Sequence, residues 1–140
     1  MSIYDYQMYG EDGRVRRVCQ KGLPLKTDSE GHIVYLMAYA SDITNFKRTG
    51  KQHLHLSGGE NSRLIEIDNE TNTYKELIML SKREQEIAKL LGKELVSEQI
   101  AEQLFISVNT VNTHRQNMLR KLGLVDTTEL VNFLKIYRMV

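Results

Sequence analysis

Along residues 1–68 apolar and polar positions alternate with a period of two, and turn-forming residues interrupt them at short intervals, which is the pattern of an antiparallel β-meander. Tyr4, Tyr6 and Met8 alternate with Asp5 and Gln7, and Gly10-Glu11-Asp12-Gly13 supplies the first turn. A second strand is expected over 14–25, with a bulge where the alternation slips between Val15 and Val18 and with Pro24 near its end. Asp28-Ser29-Glu30-Gly31 makes the next turn. The strand that follows, over 32–41, is apolar on both alternate sets: Ile33, Tyr35, Met37 and Tyr39 on one, Val34, Leu36, Ala38 and Ala40 on the other. That pattern predicts a central strand covered on both faces. A last hairpin is expected from 53–57 and 63–68 around the loop 58–62, followed by a polar connector over 69–80.

From Ser81 the period lengthens to 3.6 and four helices are predicted. Ser81-Lys82-Arg83-Glu84 has the form of a capping box, with Ile87, Leu90 and Leu91 as the apolar stripe behind it. Ser97 starts a second, short helix with Ile100, Ala101 and Leu104 inward, ending near Phe105. Ser107 caps a third, with Val108, Val111, Met118 and Leu122 on one side and Gly123 as its stop. Asp126-Thr127-Thr128-Glu129 repeats the capping logic for a fourth, running to about Arg138. The fold class expected is therefore α+β: a sheet domain over 1–68, the connector, and a four-helix domain over 81–140.

Charge sharpens this picture only locally. Residues 1–80 carry 10 basic and 11 acidic side chains and residues 81–140 carry 9 and 7, yet between Ser107 and Leu122 there are Arg115, Arg120 and Lys121 with no acid at all. On a helical wheel the outer arc of this third helix holds Asn109, Asn112, Thr113, Gln116 and Arg120. Two short helices joined by a tight turn, the second basic and polar outward, are the parts of a helix-turn-helix. Asparagine and glutamine can pair with adenine, and threonine can meet a thymine methyl. Phosphates suit Arg120, Lys121 and the amides that open the helix.

Leu80-Ser81-Lys82-Arg83-Glu84, Ile100-Ala101, Ile106-Ser107, Thr110-Val111, His114, Asn117 and Lys121-Leu122-Gly123-Leu124 together resemble the LuxR-type helix-turn-helix family over about 60 residues. The resemblance implies a bacterial transcription regulator that binds double-stranded DNA, with the third helix in the major groove and the fourth supporting a homodimer. It implies base contacts for Asn112, Thr113 and Gln116, and backbone contacts for Thr110, His114, Arg120 and Lys121. Family members often carry lysine where Asn112 stands, which here gives a neutral, adenine-leaning reader, and glycine where Glu94 stands. Val131, Phe133 and Tyr137 on the fourth helix are the expected dimer seam. Gly13-Arg14, Gly22-Leu23-Pro24, Glu30-Gly31 and Asp42-Ile43-Thr44 resemble the last strands of a PAS sensor domain over about 40 residues, without the parts that close a PAS pocket. The sheet is accordingly expected to sense or to dimerise, and the chain to be the C-terminal part of a longer sensor-regulator.

Other chemistry is sparse. His53 and His55 share a strand face, but no third metal ligand accompanies them, so neither a metal nor another cofactor is expected. The single cysteine, Cys19, reads as a small buried side chain in a reducing, cytoplasmic setting. Arg14, Arg16 and Arg17 read as a solvated strand segment, and Tyr4, Tyr6, Tyr9, Tyr35 and Tyr39 as packing for the sheet. The longest apolar run, from Ile33 to Ala40, is far short of the roughly 20 residues that cross a membrane. No set of nucleophile, base and orienting group can be assembled, which argues against an enzyme. The alternative to a DNA-binding regulator is an interaction module whose helical domain docks another protein. The sequence leaves the effector unnamed.

Overall fold

The computed structural model describes residues 1–48, 50–58 and 61–140, so Gly59 and Glu60 of the expected loop 58–62 lie outside the described residues. The chain forms two compact units, Met1–Leu77 and Ile78–Val140. The first is a six-stranded antiparallel sheet of β1 (Ser2–Tyr9), β2 (Val15–Thr27), β3 (Ile33–Asp42), β4 (Gln52–Leu56), β5 (Arg63–Asp68) and β6 (Thr73–Glu76). The spatial order is β3-β2-β1-β4-β5-β6. Two three-stranded meanders are thus joined side by side, because the segment after β3 crosses back and lays β4 against β1. The sixth strand falls inside the stretch expected to be a polar connector.

Three sequence expectations are corrected here. The slip in alternation near Val15 makes no bulge: β1 and β2 pair without a break from Ser2↔Gly22 to Tyr9↔Val15. The irregularities lie between β2 and β3, around Pro24, Lys26 and Thr27, where proline has no N–H to give the ladder. Nor is β3 central. It is the edge of the sheet, and all ten of its residues are exposed. An apolar pattern on both alternate sets reports a strand in need of cover; it does not fix where the strand sits. Arg17, finally, is buried, while Arg14 and Val15 beside it are exposed.

Arg17 belongs to an ionic cluster under one face of the sheet. Cross-strand register puts Ile3, Asp5, Arg17, Cys19, His53, His55, Leu64 and Glu66 on that face, and the crossover covers it with Ile43 and Lys47. The Asp5 carboxylate, with no exposed side-chain surface, accepts from Lys47 Nζ at 2.7 Å, from the His53 backbone N–H at 2.7 Å and from Arg17 Nη1. Arg17 also donates to the carbonyls of Gly50 and Lys51, and Lys47 Nζ to that of Lys51 and to His53 Nδ1 at 2.9 Å. Such a cluster holds because every charge is met; removing one member leaves another buried and unpaired. His53 is thereby a member of this network, and among the described residues no three His, Cys, Asp or Glu side chains gather as a metal-binding group. Cys19 is buried, and burial raises its thiol above the ordinary value.

The second unit is four helices: α1 (Lys82–Gly92), α2 (Ser97–Leu104), α3 (Val108–Leu122) and α4 (Thr127–Ile136). Ser81 and Glu84 form the expected capping box, Glu84 N donating to Ser81 Oγ at 3.3 Å and Ser81 N to Glu84 Oε2 at 2.7 Å. Ile87, Ile100, Val111, Met118, Leu122, Leu130 and Leu134 fill its core, each at most 1% exposed. Gly123 stops α3 in the left-handed conformation at φ 66°. Among the described residues no helix is long and apolar enough to cross a membrane.

Burial, and then the Lys47 ammonium, push the His53 imidazole down to about 4 from its ordinary 6.5. The unfolded chain takes up a proton at His53 through pH 6.5 that the folded sheet refuses until about 4. The His53 contribution to stability is therefore intact above pH 6.5 and is lost as pH falls from 6.5 toward 4. Urea midpoints of the sheet transition should fall with acidification across that window, and His53→Gln should flatten the dependence.

Candidate nucleic-acid interface

Phe105 makes the turn between α2 and α3 in the left-handed region, φ 54° and ψ 45°, with its N–H turned back to Ala101 O and Glu102 O. Arg83 Nη2 ties the same turn to α1 through Leu104 O at 3.1 Å. Ser107 then caps α3, its Oγ accepting from Thr110 N at 3.0 Å and sharing a hydrogen bond with Thr110 Oγ1 at 2.8 Å. Buried Val111, Met118, Leu119 and Leu122 hold one side of α3 to the core. Asn109, Asn112, Thr113, Gln116 and Arg120 are exposed on the other, as the helical wheel requires.

The three expected base readers thus share the open face of one helix, but their polar atoms are not equally free. Thr113 Oγ1 donates to Asn109 O at 3.0 Å, so its hydroxyl proton is spent and its methyl and lone pair remain. Asn112 Oδ1 accepts from Ser97 Oγ at 2.9 Å, and that serine in turn accepts from Arg115 Nη1. Bidentate pairing with adenine would use both this oxygen and the NH₂, and the oxygen is here shared with Ser97. Gln116 makes no hydrogen bond among the described residues.

The expected backbone set is also divided. Thr110 and Arg120 are exposed, and Arg120 Nη2 donates to Asn117 Oδ1 at 3.1 Å. His114 is half-buried, with Nδ1 enclosed and without a hydrogen-bond partner, so an outside acceptor can meet only Nε2. Lys121 is placed differently from expectation: its ammonium is 2.7 Å from Glu84 Oε2, joining α3 to the first cap. Burial raises the Glu84 pKa and Lys121 and Ser81 lower it, with a net shift below the ordinary carboxylate value.

The dimer seam expected on α4 is corrected. Phe133 and Tyr137 are 2% and 0% exposed, and their rings pack together at 4.6 Å between centroids. The apolar excess of α4 is the core of this small unit, which fills the volume closed off by the other three helices. Val131 is half-buried and lines a cleft of about 660 Å³ together with Leu95, Ser97, Asn112 and Arg115. Sequence reasoning missed Ser97 as more than a helix start. The cap position is Val96, which has no polar side chain, and this leaves the Ser97 hydroxyl to serve α3.

Residues 78–134 match the family model described as bacterial regulatory proteins, luxR family. This unit is a LuxR-family helix-turn-helix domain. Across 62 residues the chain is 45% identical to the oxygen regulatory protein NreC of Staphylococcus aureus strain JH9, a stretch that is 44% of this chain and 29% of that protein. The chain therefore spans under a third of the length of the curated relatives it matches. A VqmA–ligand–DNA complex of Vibrio cholera covers 99% of this chain and 56% of its own at 20% identity, with a TM-score of 0.43. VqmA bound to DPO gives 17% identity and a TM-score of 0.43 over 99% of this chain and 52% of its own.

Within residues 78–134 two side-chain-bearing residues have left-handed conformations: Phe105, 95% exposed, and Glu94, at φ 66° where the family often has glycine. Neither conformation suits an L side chain, and neither side chain is buried. Phe105→Gly and Glu94→Gly should each raise the stability of the helical unit by about 1 kcal/mol. Thermal denaturation followed by far-UV circular dichroism checks this.

Proposed function

We propose that this chain is a sequence-specific DNA-binding transcription regulator, in which α3 reads the major groove and the sheet brings copies together or receives a signal. The observation that carries the reading is the open face of α3. Asn112, Thr113 and Gln116 are exposed on an acid-free helix whose opposite side is anchored in the core. A helix held in this way has the dimensions of the groove and offers base edges a mixture of donors, acceptors and a methyl. Thr110, His114 Nε2 and Arg120 flank the face as phosphate contacts, and Lys121 is left out of that set because Glu84 neutralises it. Gln116→Ala should weaken the preferred site by about 1 to 3 kcal/mol while sparing random duplex. Arg120→Ala should weaken all sequences alike and make the salt dependence shallower. Mobility shifts across a salt series measure both; equal loss from Gln116→Ala on specific and random DNA would remove it from the reading set. Failure of the chain to bind any duplex would favour a protein-docking role for the helical unit.

One short reading helix gives limited discrimination against a genome, so the reading includes a homodimer. With Phe133 and Tyr137 in the core, we place its seam at β3. This edge carries no charge or proline from Ile33 to Ser41, and its pairing with β2 is regular from Leu36 to Asp42, the irregularities being confined to the Ile33–Tyr35 end. It is also self-complementary. Antiparallel pairing of two copies centred on Met37 sets Tyr35 against Tyr39 and His32 against Asp42, with no like charges opposed. Met37 is 45% exposed, so Met37→Lys leaves the isolated sheet intact but opposes two ammonium groups at the symmetry axis. In sedimentation the unaltered chain should run as a dimer and the Met37→Lys chain as a monomer. An unaltered chain that stays monomeric at crystallisation concentrations would sink the dimer.

A further inference from the structure

The hydrogen bonds behind Asn112 run in one direction. Arg115 has only donors; its Nη1 donates to Ser97 Oγ and its Nη2 to Thr127 Oγ1. Ser97 is buried at 6% exposure and has a single hydroxyl proton. With the guanidinium donating to its oxygen, that proton goes on to Asn112 Oδ1, 2.9 Å away. The amide of Asn112 is therefore turned with its oxygen inward, held by α2, and its NH₂ outward on the exposed face of α3.

An asparagine free to rotate offers an acceptor and a donor, the pair that adenine meets with N6–H and N7. An asparagine whose oxygen is held inward by Ser97 puts its NH₂ donors foremost. Resting on the DNA-binding reading above, we propose that Ser97 and Arg115 orient Asn112 with its donors foremost, as a reader of guanine, whose O6 and N7 are adjacent acceptors in the major groove. Adenine and cytosine are disfavoured at this position because each turns an amino donor toward the outward NH₂. Ser97 and Arg115 touch no base. They are positioning residues that act through Asn112, and the specificity of the third helix is partly written in the second.

The test is selection of the full chain on random duplex DNA, followed by affinity measurements on the selected site. Asn112→Ala should flatten preference at one position and so identify it, and in the unaltered protein that position should be guanine. Replacing this guanine by inosine, which keeps O6 and N7, should preserve affinity; 7-deazaguanine, which lacks the N7 acceptor, should lower it, and adenine should lower it roughly tenfold. These three duplexes test the reading without altering the protein. Ser97→Ala should bring the guanine-to-adenine affinity ratio at this position down toward one while leaving the other positions unchanged, and Ser97→Thr, which keeps the hydroxyl, should restore it. Preference for adenine in the unaltered protein would overturn the proposal, as would a Ser97→Ala loss equal on every sequence, the signature of a merely structural serine. Sequence-selective binding with no guanine at the Asn112 position defeats this inference alone; absence of any sequence-selective binding defeats the DNA-binding reading with it.

Discussion

A helix of eight residues is below the length at which a helix sustains itself in water, so α2 exists only through what it is packed against. Ile100 and Ala101 are buried in the core of the helical unit, and Phe105 accepts a left-handed backbone so that the chain can reverse into α3 at once. Every property of α3 that bears on recognition depends on this arrangement. The angle of the helix, the face it leaves open and the amide bonds it shows at its start are set by a short helix and a turn that have no independent stability.

Polar contacts then determine what the open face presents. Ser107 opens α3 and Gly123 closes it, while Arg115 gathers the start of α2 and the start of α4 around its middle. The same residues settle which atoms are spent: Thr113 gives its proton to Asn109 O, Asn112 gives its oxygen to Ser97, and Gln116 keeps both. Lys121, basic in the sequence and positioned for a phosphate by analogy, donates to Glu84, which serves the α1 cap as well.

The sheet unit solves a different problem. Its 77 residues have few large apolar side chains to bury, and beneath one face they bury Asp5, Arg17, Lys47 and His53 in mutual contact. Desolvation makes that arrangement a source of geometric definition more than of net stability. Across the sheet, Tyr4, Tyr6, Leu54, Leu56, Ile65 and Ile67 are only half-buried, and β3 is open along its length. The unit combines a rigid polar underside with an apolar edge, which suits an element that meets another strand.

Periodicity by itself determined the local elements of this protein. A period of two against 3.6 divides strands from helices, and Ser81, Ser107, Asp126 and Gly123 mark helix ends through contacts reaching no further than three or four residues. The LuxR-type pattern was legible for the same reason, since its fixed residues are caps, core positions and outward polar positions of short helices. Tertiary structure decided what depends on distant partners. Burial of Phe133 and Tyr137 in the core, the pairing of Lys121 with Glu84 across 37 positions and of Arg17 with Asp5 across 12, and the edge position of β3 follow from topology, which alternation does not encode. The same holds for Asn112: its residue type permits either face of a base pair, and only the neighbour at Ser97, brought close by the turn at Phe105, orients its amide.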